Sequence, residues 1–291
     1  MLWEDLREEE FEGAIAASGG VCVVPIGCLE MHGQHLPVGT DIKTCYHIAK
    51  KAAEIEPVVV FPGQYFGSVP GLSMWRGTID LSLELRLRLL DELCAEIARN
   101  GFKKILLLNG HGGNVATLSA FVRNTLHTKK DYVVLARNDY QYGVQRLARE
   151  LRGGQKFPEL TDEDIENVLR FSEKEYLTGH ACINETSIML ALEPEHVELS
   201  RADALDGKDR HLTDHLTNKP YAIDGGVGFW LLDHPNSFEG EHVEMASANV
   251  GRVILRKRIE YQAEACRRLK EDGNLLARYA EHWGIEQGKE E

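Results

Sequence analysis

Three short stretches of this chain concentrate side chains that can hold a metal ion. In CLEMHGQHLPVGTD, Glu30 and His32 stand two positions apart just after an apolar run, and Asp41 follows a loop shaped by Gly and Pro. Imidazole nitrogen mixed with carboxylate oxygen is the donor set of divalent ions such as Zn2+, Mn2+ and Fe2+. Taken alone, these residues fit a solvated polar loop with a satisfied buried histidine better than a ligand set. In LLLNGHGGN, His111 sits between two glycines, where tight backbone exposes an imidazole and lets main-chain N–H groups approach a ligand. A Gly-rich turn before a helix also suits phosphate, but this one lacks the Lys and Ser/Thr of a P-loop and the spacing of a dinucleotide-binding turn. In GHACINETS, His180 and Glu185 lead into a helix, where Glu185 by itself could be only a carboxylate favoured by the helix N-terminus. Three separate strand-end segments each supplying ligand-type residues make the physical case for a metal centre.

The elements that must position these residues read as alternating strands and helices, the mark of an α/β fold with a mostly parallel sheet. The apolar run VCVVPI at 21–26 predicts a strand, residues 44–55 a helix, and 58–61 a second strand. Residues 83–100 predict a strong helix with Ser82 as N-cap and Gly101 as the residue after its C-cap. The strand KILLL at 104–108 is apolar without a break from Ile105 to Leu108, which suits a sheet buried on both faces. It runs into NGHGGN and a helix over 115–126, so that turn lies at the carboxyl end of a strand, the edge where open α/β sheets bind ligands. Residues 132–136 predict another strand, 149–175 a polar surface excursion with local helix, 184–191 a helix, 194–225 an irregular charged segment, and 244–272 the final long helix.

The totals exclude some partners. Of 291 residues, 46 are acidic and 33 basic, for a formal net charge of −13 with no basic block. Neutralising nucleic-acid phosphates or an anionic membrane needs clustered Lys and Arg, so neither partner is expected. No apolar run approaches the roughly 20 residues of a membrane-spanning helix, and the N-terminus is acidic where a signal peptide would be basic and then apolar. Six scattered cysteines without a C-x-x-C pair read as reduced thiols in a cytoplasm. Composition alone fits one large α/β domain as well as two small ones.

The string PIGCLEMHGQHLPVGTD resembles the first motif of the creatininase (creatinine amidohydrolase) family, and LLLNGHGGN and HACINETS resemble its second and third motifs in the same order. The resemblance runs from about Leu2 to the final long helix. It implies a single creatininase-like domain over 1–291, a three-layer α/β/α sandwich with a mostly parallel central sheet, commonly assembled as a homohexamer. It also implies two divalent ions per chain, Zn2+, Mn2+ or Fe2+. Carried over by motif position, Glu30 and His111 hold one ion, His32 the other, and Asp41 bridges them. Creatinine-hydrolysing members take a further ligand from a Glu two residues after the second-motif histidine, a position that is Gly113 here. Glu185 is the expected replacement, sharing the catalytic assignment with His180, which matches the family's catalytic histidine.

The expected activity is metal-dependent hydrolysis of a C–N bond, a cyclic amide or formamide, in a small-molecule amide substrate. The alternatives are a peptidase of the same family acting on a short peptide, or a non-catalytic metal-binding homologue. Gly112 and Gly113 are candidate oxyanion donors, and Trp75 and Arg76 candidate substrate contacts, with a packed aromatic and an exposed structural Arg as the competing readings. Cys28 and Cys182, which flank ligand positions, read as buried inert thiols. Gly71 and Leu72 stand where relatives often carry a Glu-His pair, which argues against creatinine itself.

Overall fold

The computed structural model describes residues 1–176 and 178–287. Four parallel strands, β1 (Val21–Ile26), β2 (Val59–Val60), β3 (Lys104–Asn109) and β4 (Val133–Asn138), lie in the order β2-β1-β3-β4. Pairing runs from Val21 opposite Lys104 and Val133 to Ile26 opposite Asn109 and Asn138, so three neighbouring strands end level at one edge.

Both sheet faces are covered over β1 and β3, which are buried along their whole length and so lack alternation. Cys22, Val24, Ile105, Leu107 and Val134 pack against α1 (Phe11–Ser18), α3 (Leu83–Arg99) and α4 (Asn114–Asn124). Val21, Val23, Leu106 and Leu108 face the opposite way, toward α2 (Thr40–Ile55), α5 (Val144–Arg152), α6 (Asp162–Glu173), α7 (Ile183–Leu192) and α10 (Ala248–Glu271). Two short helices, α8 (Asp214–Thr217) within the irregular segment and α9 (Val227–Asp233) just after it, precede α10, and α11 (Leu275–Gln287) follows it. The expected three-layer α/β/α sandwich is the architecture found.

Helix α3 is bounded as its sequence indicates: Ser82 Oγ accepts from the Leu85 N–H at 3.3 Å, and Gly101 takes φ +101°. Three expectations change. Helix α2 starts at Thr40, four residues earlier than the apolar spacing indicates, because the Gly39 carbonyl already accepts from the Lys43 N–H. Asp41 therefore sits in a helix's first turn and not in a loop. The stretch 149–175 is no surface excursion: Phe157, Val168 and Phe171 are buried in the core, and a handful of apolar residues at helical spacing outweighs the polar majority. The long helix begins at Ala248, capped by Ser247, and α11 succeeds it.

The entry of α2 is pressed against the exit of β1. A Cβ on Gly27 would stand 2.5 Å from Ile42 N and Cα, so only glycine allows this approach. Gly27→Ala is expected to destabilise the protein by about 1–3 kcal/mol through overpacking and to displace Asp41; urea unfolding midpoints and metal content measure the two effects.

Candidate metal centre

The level strand ends explain why residues distant in sequence meet. Glu30 and His32 leave β1, and His111 leaves β3 in the turn before α4. The first turns of α2 and α7 deliver Asp41 and Glu185, where backbone N–H groups favour a negative charge. His180 precedes α7 on a segment bridged to the 240 region through Thr178 and Gly240.

Each of the three histidines is anchored by a backbone carbonyl on one ring nitrogen and turns the other inward. His111 Nε2 lies 2.9 Å from Ser68 O, His32 Nδ1 3.1 Å from Glu30 O, and His180 Nε2 2.6 Å from Met31 O. Those carbonyls assign the neutral-ring protons to the outer nitrogens. The inner nitrogens then face carboxylates. His111 Nδ1 is 2.9 Å from Glu30 Oε1 and 2.8 Å from Asp41 Oδ2, while His32 Nε2 is 3.2 Å from Asp41 Oδ1 and 3.9 Å from Glu185 Oε2. His180 Nδ1 lies 3.6 Å from Glu30 Oε1. Asp41 thus presents one oxygen to His111 and the other to His32.

Ligand atoms of Cys28, Glu30, Asp41 and His111 lie within 4.8 Å of one another, as do those of His32, Asp41 and Glu185, and those of Glu30, His32 and His180. Glu30 Oε1 is buried and has no hydrogen-bond partner among the described residues. A carboxylate oxygen and an imidazole lone pair held this close repel unless a cation lies between them. The donor set and the orphaned oxygen both fit a divalent ion, so Glu30, His111 and Asp41 suit one position and His32, Glu185 and Asp41 another.

Without an ion, protons carry that charge. Burial alone would depress both imidazoles, but carboxylates override it: Asp41, then Glu185 and Glu30, push His32 up to about 10, and Glu30 with Asp41 raises His111 well above its usual range. Burial would raise the partner carboxyls, yet His32 and His111 hold Asp41 far down, and His180 and His111 hold Glu30 down. Burial wins at Glu185, whose carboxyl is raised against the pull of His32.

The turn is locked by Asn114, whose Oδ1 accepts from Ser68 N–H at 2.7 Å and whose Nδ2 donates to Gly27 O at 3.3 Å. That places the carbonyl that orients His111. At Gly113 a Cβ would collide with Ser68 O and His111 Nε2, so this backbone leaves no room for a side chain there.

A cavity of about 930 Å³ opens over the cluster and is lined by Glu30, Asp41, His111, His180 and Glu185 and by Gly112 and Gly113. Trp75 and Arg76 are not among its lining residues. Trp75 donates its indole N–H to Ser237 Oγ at 3.0 Å and packs near Cys28, and Arg76 is exposed. The lining aromatics are Tyr140 and Trp230; the Trp230 ring meets His180 edge-on and its Nε1 donates to Glu239 Oε2 at 2.6 Å. Nothing in the sequence between the irregular segment and the final long helix marked Trp230 or Glu239 in advance. Cys28 donates to Asp41 Oδ2 at 3.0 Å and so touches the cluster, whereas Cys182 is buried at the N-cap of α7. Burial pushes the Cys28 thiol well up, with the Asp41 and Glu30 charges adding to it. Asp139, directly after β4, is buried, and burial lifts its carboxyl to about 6; its place at a strand end was a usable signal in the sequence.

Comparison with known proteins bears on this geometry. A family model described as creatininase, creatinine amidohydrolase, matches residues 4–266. The creatinine amidohydrolase of Pseudomonas putida is 27% identical over 208 residues, 68% of this chain and 74% of that protein. The mycofactocin precursor peptide peptidase of Mycolicibacterium smegmatis is 32% identical over 109 residues, 34% of this chain and 42% of that one. The solved structure described as creatininase Mn shares 23% identity at a TM-score of 0.69 and covers 93% of this chain and 98% of its own. Since the family match runs through the exits of β1 and β3, the entry of α7 and most of α10, this chain belongs to the creatininase family of hydrolases.

Proposed function

We propose that this protein is a metal-dependent amidohydrolase that cleaves a C–N bond of a small cyclic amide or formamide. The observation that carries the reading is the pairing of inward imidazole nitrogens with carboxylate oxygens at 2.8–3.2 Å around a buried, unpartnered Glu30 Oε1. Relatives support it: solved creatininases are described by manganese and by a Zn–Zn type.

Glu30 and His111 would hold one ion, His32 and Glu185 the other, and Asp41 would bridge them through its two oxygens. Such a pair supplies Lewis acidity, bringing the pKa of water from about 15.7 toward ~7 and polarising an amide carbonyl. The residues do the rest. The Ser68 and Glu30 carbonyls keep the lone pairs of His111 and His32 pointed inward. Gly112 and Gly113 line the cavity, and neither N–H makes a backbone hydrogen bond among the described residues, so both are free to meet an oxygen that gains charge. His180, held through Nε2 by Met31 O, has Nδ1 available to carry a proton to the leaving nitrogen. Trp230 and Glu239 border it and shape the entry. A short peptide is the second reading, favoured by a cavity of about 930 Å³, ample for more than one small ring. Turnover of creatinine, formamidopyrimidines and small peptides by one metal-loaded preparation separates the readings.

Metal uptake has to displace the protons of His32 and His111. With His32 held at about 10, apparent affinity for Zn2+ or Mn2+ is expected to climb as pH rises toward that value, with proton release visible in weak buffer. Uptake that is independent of pH would contradict the assignment of these two ligands. Glu30→Gln should weaken binding by about tenfold or more, read by metal analysis after dialysis.

His180→Ala is expected to retain its metal while kcat falls about 10²- to 10⁴-fold. Full turnover in that variant removes His180 from the chemistry, and loss of metal makes it a ligand instead.

A further inference from the structure

One cavity side chain has a charge that the hydrolytic reading does not use. Arg258, from α10, lines the cavity while only 7% exposed, and it is the one Lys or Arg among the lining residues, which include the carboxylates Glu30, Asp41, Glu185 and Glu239. A guanidinium stays charged wherever it is buried, so it requires acceptors. Its Nε–H has one, donating to Tyr142 O at 2.9 Å. The outer nitrogens do not: Nη1 lies 3.7 Å from Asp139 Oδ1, beyond hydrogen-bond distance, and no other acceptor meets them among the described residues. Both Asp139 oxygens are likewise without a hydrogen-bond partner. Asn184 stands at the same wall beside Gly143. Its Oδ1 accepts from Val144 N–H at 2.8 Å, which orients Nδ2 as a donor with no acceptor of its own among the described residues. A planar fork and an amide N–H group, all donors, face one open space.

We propose that Arg258, aided by Asn184, anchors a carboxylate on the substrate, so that the enzyme acts on acidic amides and holds their charged end away from the bond that breaks. The inference rests on the metal-hydrolase reading and adds the substrate's charge to it. The two outer nitrogens of Arg258 match the spacing of carboxylate oxygens, and charge-assisted pairs of this kind set orientation as well as affinity. A neutral ring would leave these donors unpaired; an acid satisfies them and supplies the counter-charge that Asp139 at 3.7 Å does not deliver by hydrogen bonding.

Hydroxamates with tails test this on the Zn2+- or Mn2+-loaded full chain, since the hydroxamate head reports the metal centre and the tail reports Arg258. Monohydroxamates of dicarboxylic acids from succinate to adipate are compared by calorimetry with the same compounds carrying a terminal amide. The native protein should prefer the acid tail by about tenfold or more at one chain length. Arg258→Gln, and Arg258→Gln combined with Asp139→Asn so that no buried charge is stranded, should erase the preference while amide-tailed affinity stays within about twofold. Equal affinity for both tails at every length in the native protein overturns the inference whether or not the variants fold, and so does a preference that survives Arg258→Gln. Binding of neither series would sink the metal-centre reading, and this inference with it.

Discussion

The structure depends on keeping like-charged lone pairs together. Glu30 Oε1, both oxygens of Asp41 and the inner nitrogens of His32 and His111 lie within about one hydrogen-bond length of their neighbours and away from water. Such a group is stable only with positive charge at its centre. In the ion-free protein that charge is protons on imidazole, which is why His32 is pushed to about 10 against the pull of burial. A divalent ion held among these donors would take the protons' place.

Holding the repelling atoms requires a rigid frame, and the parallel sheet provides it. Strands β1, β3 and β4 end level, so the loops leaving Ile26, Asn109 and Asn138 begin side by side. Asn109 and Asn138 are joined by a side-chain hydrogen bond of 2.9 Å, and Asn109 Oδ1 accepts from the His111 N–H at 3.1 Å. Helices α2 and α7 then arrive N-terminus first, with Asp41 and Glu185 in their opening turns. Backbone dipole, strand register and side-chain anchors all place negative charge at one edge.

Within that frame the ground beside the charged cluster is shaped by close backbone packing and by the cavity. The backbone at Gly113 is closed to a side chain by Ser68 O and His111, and Leu72 is buried beside Cys28 and Val69. The cavity wall combines Trp230 of α9, Arg258 of α10 and Glu239 with residues of α2, α4, α7 and the turn after β3.

The local pattern already determined most of the fold. The apolar runs at 21–26 and 105–108 read as strands buried on both faces, and Ser82 with Gly101 delimits a helix by backbone chemistry that needs no neighbours. Glu30 and His111 were legible as candidate ligands for the same reason: each sits shortly after such a run, in a stretch too short to wander. Other features were not legible. That Asp41 opens a helix depended on the Gly39 carbonyl finding Lys43, and that 149–175 is core depended on which partners Phe157 and Phe171 met. Trp75 and Trp230 look alike as letters, yet one is tied to Ser237 and the other faces His180. A chain specifies by itself what its near neighbours along the backbone can satisfy. Which distant oxygens face which nitrogens, and which arginine lines the cavity, is decided when the packed helices bring them to one edge, because only there do burial and charge act on them together.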